Sequence, residues 1–357
     1  MSTSDLMRPV RIALDMMGGD SAPGAIVDGA LCAVHEQPGL RITLVGPVDV
    51  AERLLAGRPG GELIDRVAAS EAIGMDEHGV RAVRAKSASS VAVAARLVRD
   101  GQADAMVSAG STGAAVAAAL FGLGRIPGMS RAALAVVVPA GAGPVVLLDA
   151  GASTDASADV LWQLATVGSE YARIRLGIDH PRVGLLSIGE EARKGDDLRK
   201  QAFNVLSRAE GLTFVGNVEG GDVATGGRAD VVVTDGFTGN VLLKGMEGAV
   251  AMATAALASA IGADPALQQA AELLRPAFDE AAASIDPEQH GGALLLGVYG
   301  VVVVAHGAST PRALASSIEV AADAVRGSVV SAITGVMEGA VSPQRRAADR
   351  PKRAADS

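Results

Sequence analysis

A single cysteine, Cys32, and a near absence of aromatic residues stand out first in this sequence of 357 residues. One cysteine leaves no disulfide framework and no cysteine-based metal site, which fits a reducing compartment. Aromatic residues make up 2% of the chain and hydrophobic residues 49%. This balance predicts a large core built from Ala, Val, Leu and Ile. The five histidines show no metal-ligand spacing, so we expect no metal site.

The sequence also lacks positive net charge and long apolar runs. Its formal charge of -9 argues against nucleic acid as the main partner, because phosphate contacts need clustered Lys and Arg. The longest apolar stretch, 293–305, is broken by Gly297 and Gly300 and falls short of the ~20 residues that a spanning helix needs. The N-terminus lacks the apolar core of a signal peptide. We therefore expect a cytoplasmic location.

Short Val, Ile and Leu strands alternate with Ala-rich amphipathic helices along most of the chain. Such alternation predicts an α/β fold with a doubly wound, mainly parallel sheet. A short glycine-containing turn joins the two strands within 133–149, which favours a hairpin there. The predicted strands are 10–15, 41–46, 104–108, 133–138, 144–149, 182–187, 212–216, 230–234 and 300–305, and the predicted helices are 24–35, 49–57, 87–100, 112–121, 157–175, 194–209 and 312–327.

Residues 238–284 carry no strand signal and are predicted to form two long helices. The break lies at 262–265, where Asp264 is a suitable N-cap and Pro265 suits the first helical position. Two interpretations are open: the helices pack on the sheet or on a second subunit, or they project and contact a membrane or partner through an apolar tip. The tip residues are Leu257, Ile261 and Leu267.

We expect a single α/β domain over 8–335. A chain of 357 residues has ample length for the core of such a domain. The last stretch, 341–357, has five basic and two acidic residues, which predicts a solvated, structureless tail.

Two predicted strands, near 212–215 and 230–234, run directly into glycine mixed with Asn, Asp, Glu and Thr. Ligands of open α/β sheets gather at the carboxyl ends of the strands. Thr238, Gly239 and Asn240 are predicted to begin the helix after the second strand, where unpaired amides and the positive end of the helix favour an anion. This pattern indicates an enzyme that handles a phosphate.

Four further strands end in similar turns. Each turn alone is equally consistent with ordinary helix capping. Six turns on the strand ends of one sheet favour a shared site, and His306 follows a strand that we expect to end at the same edge. Lys194 is a cation suited to a phosphate or to a developing oxyanion. The turns hold Asp15, Gly18, Gly19 and Asp20; Ser108, Gly110, Ser111, Thr112 and Gly113; Asp149 and Ser153; Gly189 and Lys194.

Seven motifs occur in order along the chain: Asp-x-Met-Gly-Gly-Asp (15–20), Ser-Ala-Gly-Ser-Thr-Gly-Ala (108–114), Gly-Leu-Leu-Ser-Ile-Gly-Glu-Glu-x-x-Lys-Gly (184–195), Phe-Val-Gly-Asn-Val-Glu-Gly (214–220), Thr-Asp-Gly-Phe-Thr-Gly-Asn-Val-Leu-Leu-Lys (234–244), Gly-Gly-Ala-x-Leu-Leu-Gly (291–297) and His-Gly (306–307). In this combination the chain closely resembles the bacterial phosphate acyltransferases of phospholipid synthesis, the PlsX family. The likeness covers about residues 8–330.

The resemblance implies a cytosolic enzyme that transfers a long fatty acyl chain from acyl carrier protein to inorganic phosphate. Its product, an acyl phosphate, would serve a downstream glycerol-3-phosphate acyltransferase. The resemblance also implies a fold like that of isocitrate dehydrogenase and phosphate acetyltransferase, a homodimer, and peripheral association with a membrane through a helical projection. This projection would map onto about 246–284. The chemistry requires no cofactor, because a thioester is already activated.

The motifs carry the expected site residues. We expect Lys194 to bind phosphate or the thioester oxyanion, and Asp235 and Asn240 to orient phosphate and accept its proton. Phosphate would attack the thioester directly, because no activated Cys or Ser is recognisable. The remaining expected substrate-binding residues are Asp15, Gly18, Gly19, Asp20, Ser108, Gly110, Ser111, Thr112, Gly113, Gly189, Asn217, Glu219, Thr238, Gly239 and His306.

The chain departs from the family pattern at four positions, which bear on the fine geometry of the ligand site. Ser21 stands in place of the usual His, Ala88 in place of Asp, Ser153 in place of Asn and Leu294 in place of Pro. Arg125 and Arg131 are candidates for docking an acidic carrier.

Three alternatives are open. A phosphate acetyltransferase would use a coenzyme A ester, and the apolar helical tip disfavours it. An NAD-dependent decarboxylating dehydrogenase would need a dinucleotide site and metal-binding carboxylates, and the sequence shows no spaced-glycine fingerprint. A non-enzymatic phosphate-binding regulator would turn over neither kind of thioester.

Overall fold

A computed structural model of the chain describes residues 8–285 and 291–340. The basic segment 341–357, predicted to be a solvated tail, lies outside these described residues, so its prediction stays untested. The division into a single domain over 8–335 likewise stays a prediction.

Strands and helices alternate as the composition predicts. The strands are β1 (Val10–Asp15), β2 (Leu40–Gly46), β3 (Ile64–Ala68), β4 (Ala105–Ser108), β5 (Ala133–Val138), β6 (Val145–Leu148), β7 (Arg182–Leu186), β8 (Thr213–Val218), β9 (Val231–Val233), β10 (Ala293–Leu296) and β11 (Val301–Val304). The helices are α1 (Gly24–Glu36), α2 (Val48–Leu55), α3 (Gly79–Ala85), α4 (Ser90–Arg99), α5 (Thr112–Gly122), α6 (Ala158–Leu176), α7 (Asp197–Leu206), α8 (Gly220–Thr225), α9 (Gly236–Gly262), α10 (Pro265–Ile285), α11 (Pro311–Arg326) and α12 (Val329–Gly339).

The described strands form one sheet in the order β3-β2-β1-β4-β11-β10-β5-β6-β9-β7-β8. Strands β1 to β4 and β11 are mutually parallel, as are β6, β7, β8 and β9. Between these groups, β10 is antiparallel to both β11 and β5, and β5 is antiparallel to β6. The predicted α/β class with a mainly parallel sheet is confirmed, and so is the hairpin within 133–149.

Alternate residues of each strand enter opposite apolar layers. In β1, Ile12 and Leu14 face the layer that holds α1, α2, α6, α7, α11 and α12, whereas Ala13 faces the layer that holds α3, α4 and α5. Both layers are dominated by Ala, Val, Leu and Ile. Burial on both faces explains why the strands read as continuous apolar runs rather than as alternating patterns.

The structure contains elements that the sequence pattern did not predict: β3, β10, α3, α8 and α12. Strand β3 lies at the edge of the sheet, and its Asp65 and Arg66 are exposed, so it lacks the apolar run of a central strand. Strand β10 has only four residues between glycine-containing turns. Elements as short as these leave little hydrophobic periodicity in the sequence by which to predict them.

Helices α9 and α10 form the predicted excursion. They are separated at the predicted break, where the Asp264 carboxylate accepts a hydrogen bond from the Ala266 amide at 2.8 Å. The pair exposes a row of apolar side chains: Val241, Val250, Met252, Leu257, Leu267, Leu273, Leu274 and Phe278. Among the described helices, α9 is long and apolar enough to span a membrane by length and composition, and the apolar part of it is not buried by the rest of the chain.

Candidate functional site

The turns after β1 and β4 are joined by a buried hydrogen-bond network. Asp15, at the end of β1, accepts a hydrogen bond from the Ser108 hydroxyl at 2.7 Å and one from the Met17 amide at 3.2 Å. The Ser108 hydroxyl in turn accepts a hydrogen bond from the Gly110 amide at 3.1 Å. Because Ser108 ends β4, the neighbouring strand, these bonds fix the two turns against each other. We call them, with the turn after β11, the β1/β4 cluster.

Burial raises the pKa of the Asp15 carboxyl above its ordinary value, because removal from water disfavours the charged form. Hydrogen bonds from Ser90, Ser108 and the amides of Met17 and Gly18 act in the opposite direction without cancelling the effect. Ser90 begins α4 and was not predicted as a site residue. The pair Ser89-Ser90 before an Ala-rich segment indicates the start of a helix, but the sequence does not show that Ser90 contacts Asp15.

Glycine is required where these turns meet. A Cβ atom on Gly18 would lie 2.6 Å from the Gly110 nitrogen, and Gly19 has a φ of 112°. The turn after β11 joins the same edge, since the Asp20 amide donates to the Gly307 carbonyl at 2.8 Å. His306 is exposed, and its Nδ1 accepts a hydrogen bond from the Ala308 amide at 3.2 Å.

Helix α5 begins at the β1/β4 cluster with unpaired amides. Its N-cap, Ser111, makes no side-chain capping bond, so the ordinary capping role of this residue is absent. The Ser111 carbonyl accepts from Ala114 and Ala115, and within the described chain the amides of Thr112 and Gly113 have no hydrogen-bond partner. This helix start therefore presents two free N–H groups beside the cluster.

A second network surrounds Asp149, directly after β6. One of its oxygens accepts from the amides of Leu134, Gly151 and Ala152 at 3.1, 2.9 and 2.8 Å. The other accepts from the Ser153 amide at 2.9 Å and the Ser153 hydroxyl at 2.7 Å. The departure at Ser153 thus keeps a side-chain donor at this position. We call the turns after β6, β7, β8 and β9 the β6/β9 cluster.

Asp235 caps α9 in the β6/β9 cluster. Its carboxylate accepts from the Thr238 amide at 2.9 Å and from the buried Arg199 guanidinium, which also donates to Thr234 and Thr238 hydroxyls at 2.9 and 3.1 Å. Burial opposes ionisation of Asp235, but the bonds from Thr238 and Arg199 outweigh it and lower the pKa of the carboxyl. Asp235 is therefore a weak proton acceptor, which disfavours the base role expected for it.

Two glycines bring the start of α9 against the turn after β6. A Cβ atom on Gly236 would lie 2.0 Å from the Ser153 carbonyl oxygen, and one on Gly239 would lie 1.9 Å from the Asp149 carbonyl oxygen. The Thr238 and Gly239 amides donate to the Asp235 side chain and carbonyl. Both amides are therefore already hydrogen-bonded within the chain, so neither is available for the anion contact that the sequence predicts.

Asn240 faces the same junction. Its exposed side chain lies 3.5 Å from the position that a Cβ atom on Gly151 would occupy. The three residues expected to be catalytic, Lys194, Asp235 and Asn240, all lie on turns of the β6/β9 cluster. Their individual roles stay predictions.

Lys194 lies in the turn between β7 and α7. Its side chain is 46% exposed, and its Nζ is 3.9 Å from a Glu191 carboxylate oxygen. A Cβ atom on Gly189 would be 3.0 Å from Lys194 Cγ, so this glycine allows the lysine to fold back over the turn. The turn leads directly into α7, which carries Arg199. Arg199 thereby links the Lys194 turn to the Asp235 turn.

Asn217 and Glu219 follow β8 on the same edge. The Asn217 Nδ2 donates to the Glu191 carbonyl at 2.9 Å, and its buried Oδ1 has no partner among the described residues. At the start of α8 the Glu219 amide donates a hydrogen bond to the Asp222 carboxylate at 2.8 Å, and the Glu219 side chain is exposed.

Sequence reasoning missed Arg199 and gave Asp149 no role of its own. Arg199 lies three residues before Ala202 and seven before Leu206, on the buried face of α7. A charged residue on the apolar face of a predicted helix is unusual, and it can be recognised from the sequence alone. Asp149 lies at the end of an apolar strand, as Asp15 does, but its five hydrogen bonds depend on the turn conformation.

The two clusters lie at opposite edges of the sheet. Strands β1, β4 and β11 run in one direction, and β6, β7, β8 and β9 run in the other. Their carboxyl ends therefore face opposite ways. The expectation that His306 and all six glycine-rich turns share one edge is wrong, because the β5–β6 hairpin reverses the chain direction.

The structure shows the surroundings of the other three positions at which the chain departs from the family pattern. Leu294 lies in β10 opposite Val303 and Ala135, where it keeps an N–H that the family's usual proline lacks. The Ala88 amide donates to Glu71 at 3.1 Å, and Ser21 is exposed at the start of α1. Among the side chains that the structure describes, no group of three or more His, Cys, Asp or Glu is placed to hold a metal ion.

Comparison with known proteins gives a consistent result. The chain matches the family described as "Fatty acid synthesis protein" over residues 10–332. It is 45% identical to a phosphate acyltransferase of Desulfitobacterium hafniense over 327 residues, which are 91% of this chain and 96% of that protein. A phosphate acyltransferase of Heliobacterium modesticaldum is 46% identical over 336 residues, 94% of this chain and 99% of that protein.

Solved structures share the fold at low sequence identity. A phosphotransacetylase from Streptococcus pyogenes has a TM-score of 0.59 at 17% identity and covers 95% of this chain and 100% of that one. A branched-chain phosphotransacylase from Enterococcus faecalis has a TM-score of 0.52, again at 17% identity, with 88% and 98% covered. The family resemblance seen in the motifs is confirmed by the family match and by the identity to the curated relatives: the chain belongs to the phosphate acyltransferase family, PlsX.

Proposed function

We propose that this protein transfers a long-chain fatty acyl group from acyl carrier protein to inorganic phosphate, giving an acyl phosphate for phospholipid synthesis. The observation that carries the proposal is membership of the phosphate acyltransferase family across nearly the whole chain. The family name specifies phosphate as the acceptor. The carrier protein as donor rests on the motif resemblance.

The reaction needs no enzyme-bound acyl group. A phosphate oxygen attacks the thioester carbonyl carbon, the C–S bond breaks, and the thiolate leaves and takes up a proton. Catalysis then rests on holding the two reactants together and on stabilising the oxyanion. Lys194 is suited to stabilising the oxyanion because its ammonium group is accessible. It also lies on the turn that Arg199 joins to Asp235.

The buried ion pair changes the role proposed for Asp235. Both carboxylate oxygens are engaged by Thr238 and Arg199, so Asp235 acts as a positioning residue that fixes the first turn of α9. Asn240, five residues later and exposed, is then the residue of this turn that contacts phosphate. Phosphate in its dianionic form needs no base to attack, so the loss of a base role for Asp235 leaves the chemistry intact.

The protein works as a homodimer at the cytoplasmic face of a membrane, and a glycerol-3-phosphate acyltransferase consumes its product. The apolar side chains exposed on α9 and α10 support this proposal, because a surface of that kind is normally covered by a membrane or by a second protein. The tip residues Leu257 and Ile261 are the proposed membrane contacts, together with Leu267.

Hydroxylamine trapping tests the proposed reaction. The protein is incubated with palmitoyl acyl carrier protein and phosphate, and acyl hydroxamate is measured. We expect product that depends on both substrates. Palmitoyl coenzyme A as the alternative donor separates the carrier-dependent enzyme from a phosphate acetyltransferase-like one. An acyl group that stays on the denatured protein would contradict direct attack, and no hydroxamate from either donor would contradict the function.

A further inference from the structure

We propose that the outer surface of α3 and α5 is where the acyl carrier protein docks, recognised as an acidic, amphipathic helix. This inference rests on the proposed function, since it concerns the donor of that reaction. We call the surface the α3/α5 patch. It consists of Met75, Val80, Arg81, Arg84 and Phe121.

The patch lies in a region whose charge opposes that of the whole chain. Residues 75–148, the stretch that spans the patch, contain seven Lys and Arg and four acidic residues, Asp76, Glu77, Asp100 and Asp104, whereas the chain as a whole has a formal charge of -9. Three of these four are in ion pairs, Glu77 with Lys86 at 2.7 Å, Asp100 with Arg99 at 2.8 Å and Asp104 with Arg11 at 2.7 Å, and Asp76 is exposed. The region therefore has an excess of positive charge available to an acidic partner.

The arginines of the patch are free of carboxylates. Within the described residues, neither Arg81 nor Arg84 is in an ion pair, although both are exposed. The nearby Glu77 is engaged by Lys86 at 2.7 Å. Arg84 instead lies over the Phe121 ring, with its Cζ 5.0 Å from the ring centroid. An arginine held over an aromatic ring keeps donors for a carboxylate while its position is restrained.

Apolar side chains surround these charges. Met75 is 46% exposed, Val80 41% and Phe121 49%, in a protein with very few aromatic residues. Large side chains of this kind next to arginine have the composition of protein–protein hot spots. An acidic helix with an apolar stripe matches both features at once.

The patch lies beside the β1/β4 cluster. A Cβ atom on Gly79, the first residue of α3, would lie 2.2 Å from the Gly113 carbonyl carbon, so α3 rests directly on the turn after β4. A Cβ atom on Gly307 would lie 2.7 Å from Met75 Cε, so the patch also borders the turn after β11. A donor protein bound here would be next to the free amides at the start of α5, and its acyl thioester would have to extend across the sheet to meet Lys194 and Asn240 in the β6/β9 cluster.

The arginines first considered for docking are less suitable. Arg125 donates a hydrogen bond to the Ser130 carbonyl, and Arg131 is 3.6 Å from Asp155. Both are held by their own chain, whereas Arg81 and Arg84 are held by no carboxylate among the described residues. The structure thus favours the α3/α5 patch over the two sites that sequence alone suggested.

Direct binding tests the patch without requiring turnover. Fluorescence anisotropy with labelled palmitoyl acyl carrier protein measures Kd for the full-length protein, Arg84→Glu and Phe121→Ser. We expect each variant to bind about ten-fold more weakly or worse, because arginine and aromatic anchors dominate such interfaces. Arg208→Glu is the matched control: Arg208 is exposed, lies just after α7 on the opposite face of the sheet, and is expected to leave Kd unchanged.

A second readout separates docking from folding and from chemistry. Thermal unfolding verifies that each variant is folded, and rising salt is expected to weaken wild-type binding more than that of Arg84→Glu. Unchanged Kd in both patch variants, or no carrier binding by the wild type, would overturn the proposal. So would a change of oligomeric state in Arg84→Glu, because the patch would then contact a second copy of the chain. Carrier binding at the patch without acyl phosphate formation would instead overturn the proposed function alone.

Discussion

The Arg199 guanidinium donates a hydrogen bond to the buried carboxylate of Asp235, and so joins helix α7 to the first turn of α9. Arg199 follows the turn that carries Lys194, and Asp235 precedes the turn that carries Asn240. One ion pair therefore sets the relative positions of the residues expected to act on the substrates.

Removing Arg199 is expected to destabilise the fold strongly. Arg199→Ala would leave Asp235 buried without a charged partner, which costs about 3–5 kcal/mol for a pair of this kind. Urea denaturation measures the free energy of unfolding. Arg199→Lys should lose less, because one ammonium can still face Asp235, and Lys200→Ala, at the exposed neighbouring position, should change stability by less than about 0.5 kcal/mol. Equal stability of Arg199→Ala and Lys200→Ala would contradict the role of the pair.

The same ion pair predicts a direction of pH dependence. The folded protein holds the pKa of Asp235 below its ordinary value, so the carboxylate contributes stability above the unfolded pKa of about 3.9. That contribution is lost as the pH falls through the lower, folded pKa. The free energy of unfolding of the wild type and of Asp235→Asn should therefore differ most near neutral pH and converge below about pH 4. A difference that grows on acidification would show that the pKa shift has the opposite sign.

Lys194→Ala is expected to remove most of the activity and little of the stability. The side chain is about half exposed, so its loss should change the free energy of unfolding by less than about 0.5 kcal/mol. Loss of a group that stabilises an oxyanion lowers turnover by about 10²–10³-fold. Acyl hydroxamate formation measures the effect, and Lys200→Ala, a lysine of similar exposure on α7, is the matched control. Near-normal turnover in Lys194→Ala would exclude the residue from catalysis.

Local sequence patterns predict the parts of the site that depend on local structure. Lys194, Asp235 and Asn240 could be proposed as site residues because an apolar strand running into a polar, glycine-containing turn is visible in the sequence. Arg199 was missed because its importance comes from a contact with residue 235, across two neighbouring strands. The separation of the two clusters was missed for a similar reason: strand direction follows from pairing, and the predicted hairpin at 133–149 was the only local sign of a reversal.

A pair of glycines tests the packing of α3 against α5. Gly79→Ala would place a Cβ atom 2.2 Å from the Gly113 carbonyl carbon, so we expect a loss of about 1–3 kcal/mol or more from overpacking. Gly113→Ala is the matched control, because its Cβ atom would meet nothing closer than 3.9 Å. In a helix this change should be neutral or slightly stabilising. Denaturant unfolding of both variants measures the asymmetry, and equal effects would mean that α3 does not rest on the start of α5.

The α9–α10 tip is expected to mediate membrane association through apolar contact. Leu257 is 51% exposed and Ile261 lies one turn later on the same helix, so Leu257→Glu with Ile261→Glu places two charges in the proposed contact. Burial of apolar side chains drives interfacial binding, and we expect co-sedimentation with anionic vesicles to fall about ten-fold. Ser259→Glu with Gln269→Glu adds the same charge to exposed polar positions near the tip and controls for electrostatic repulsion alone. Similar release of both double variants would mean that charge, and not apolar contact, governs binding.

Unchanged sedimentation of the Leu257 and Ile261 variant would exclude this tip as the membrane contact. A change in the oligomeric state of that variant would assign the surface to a second subunit instead.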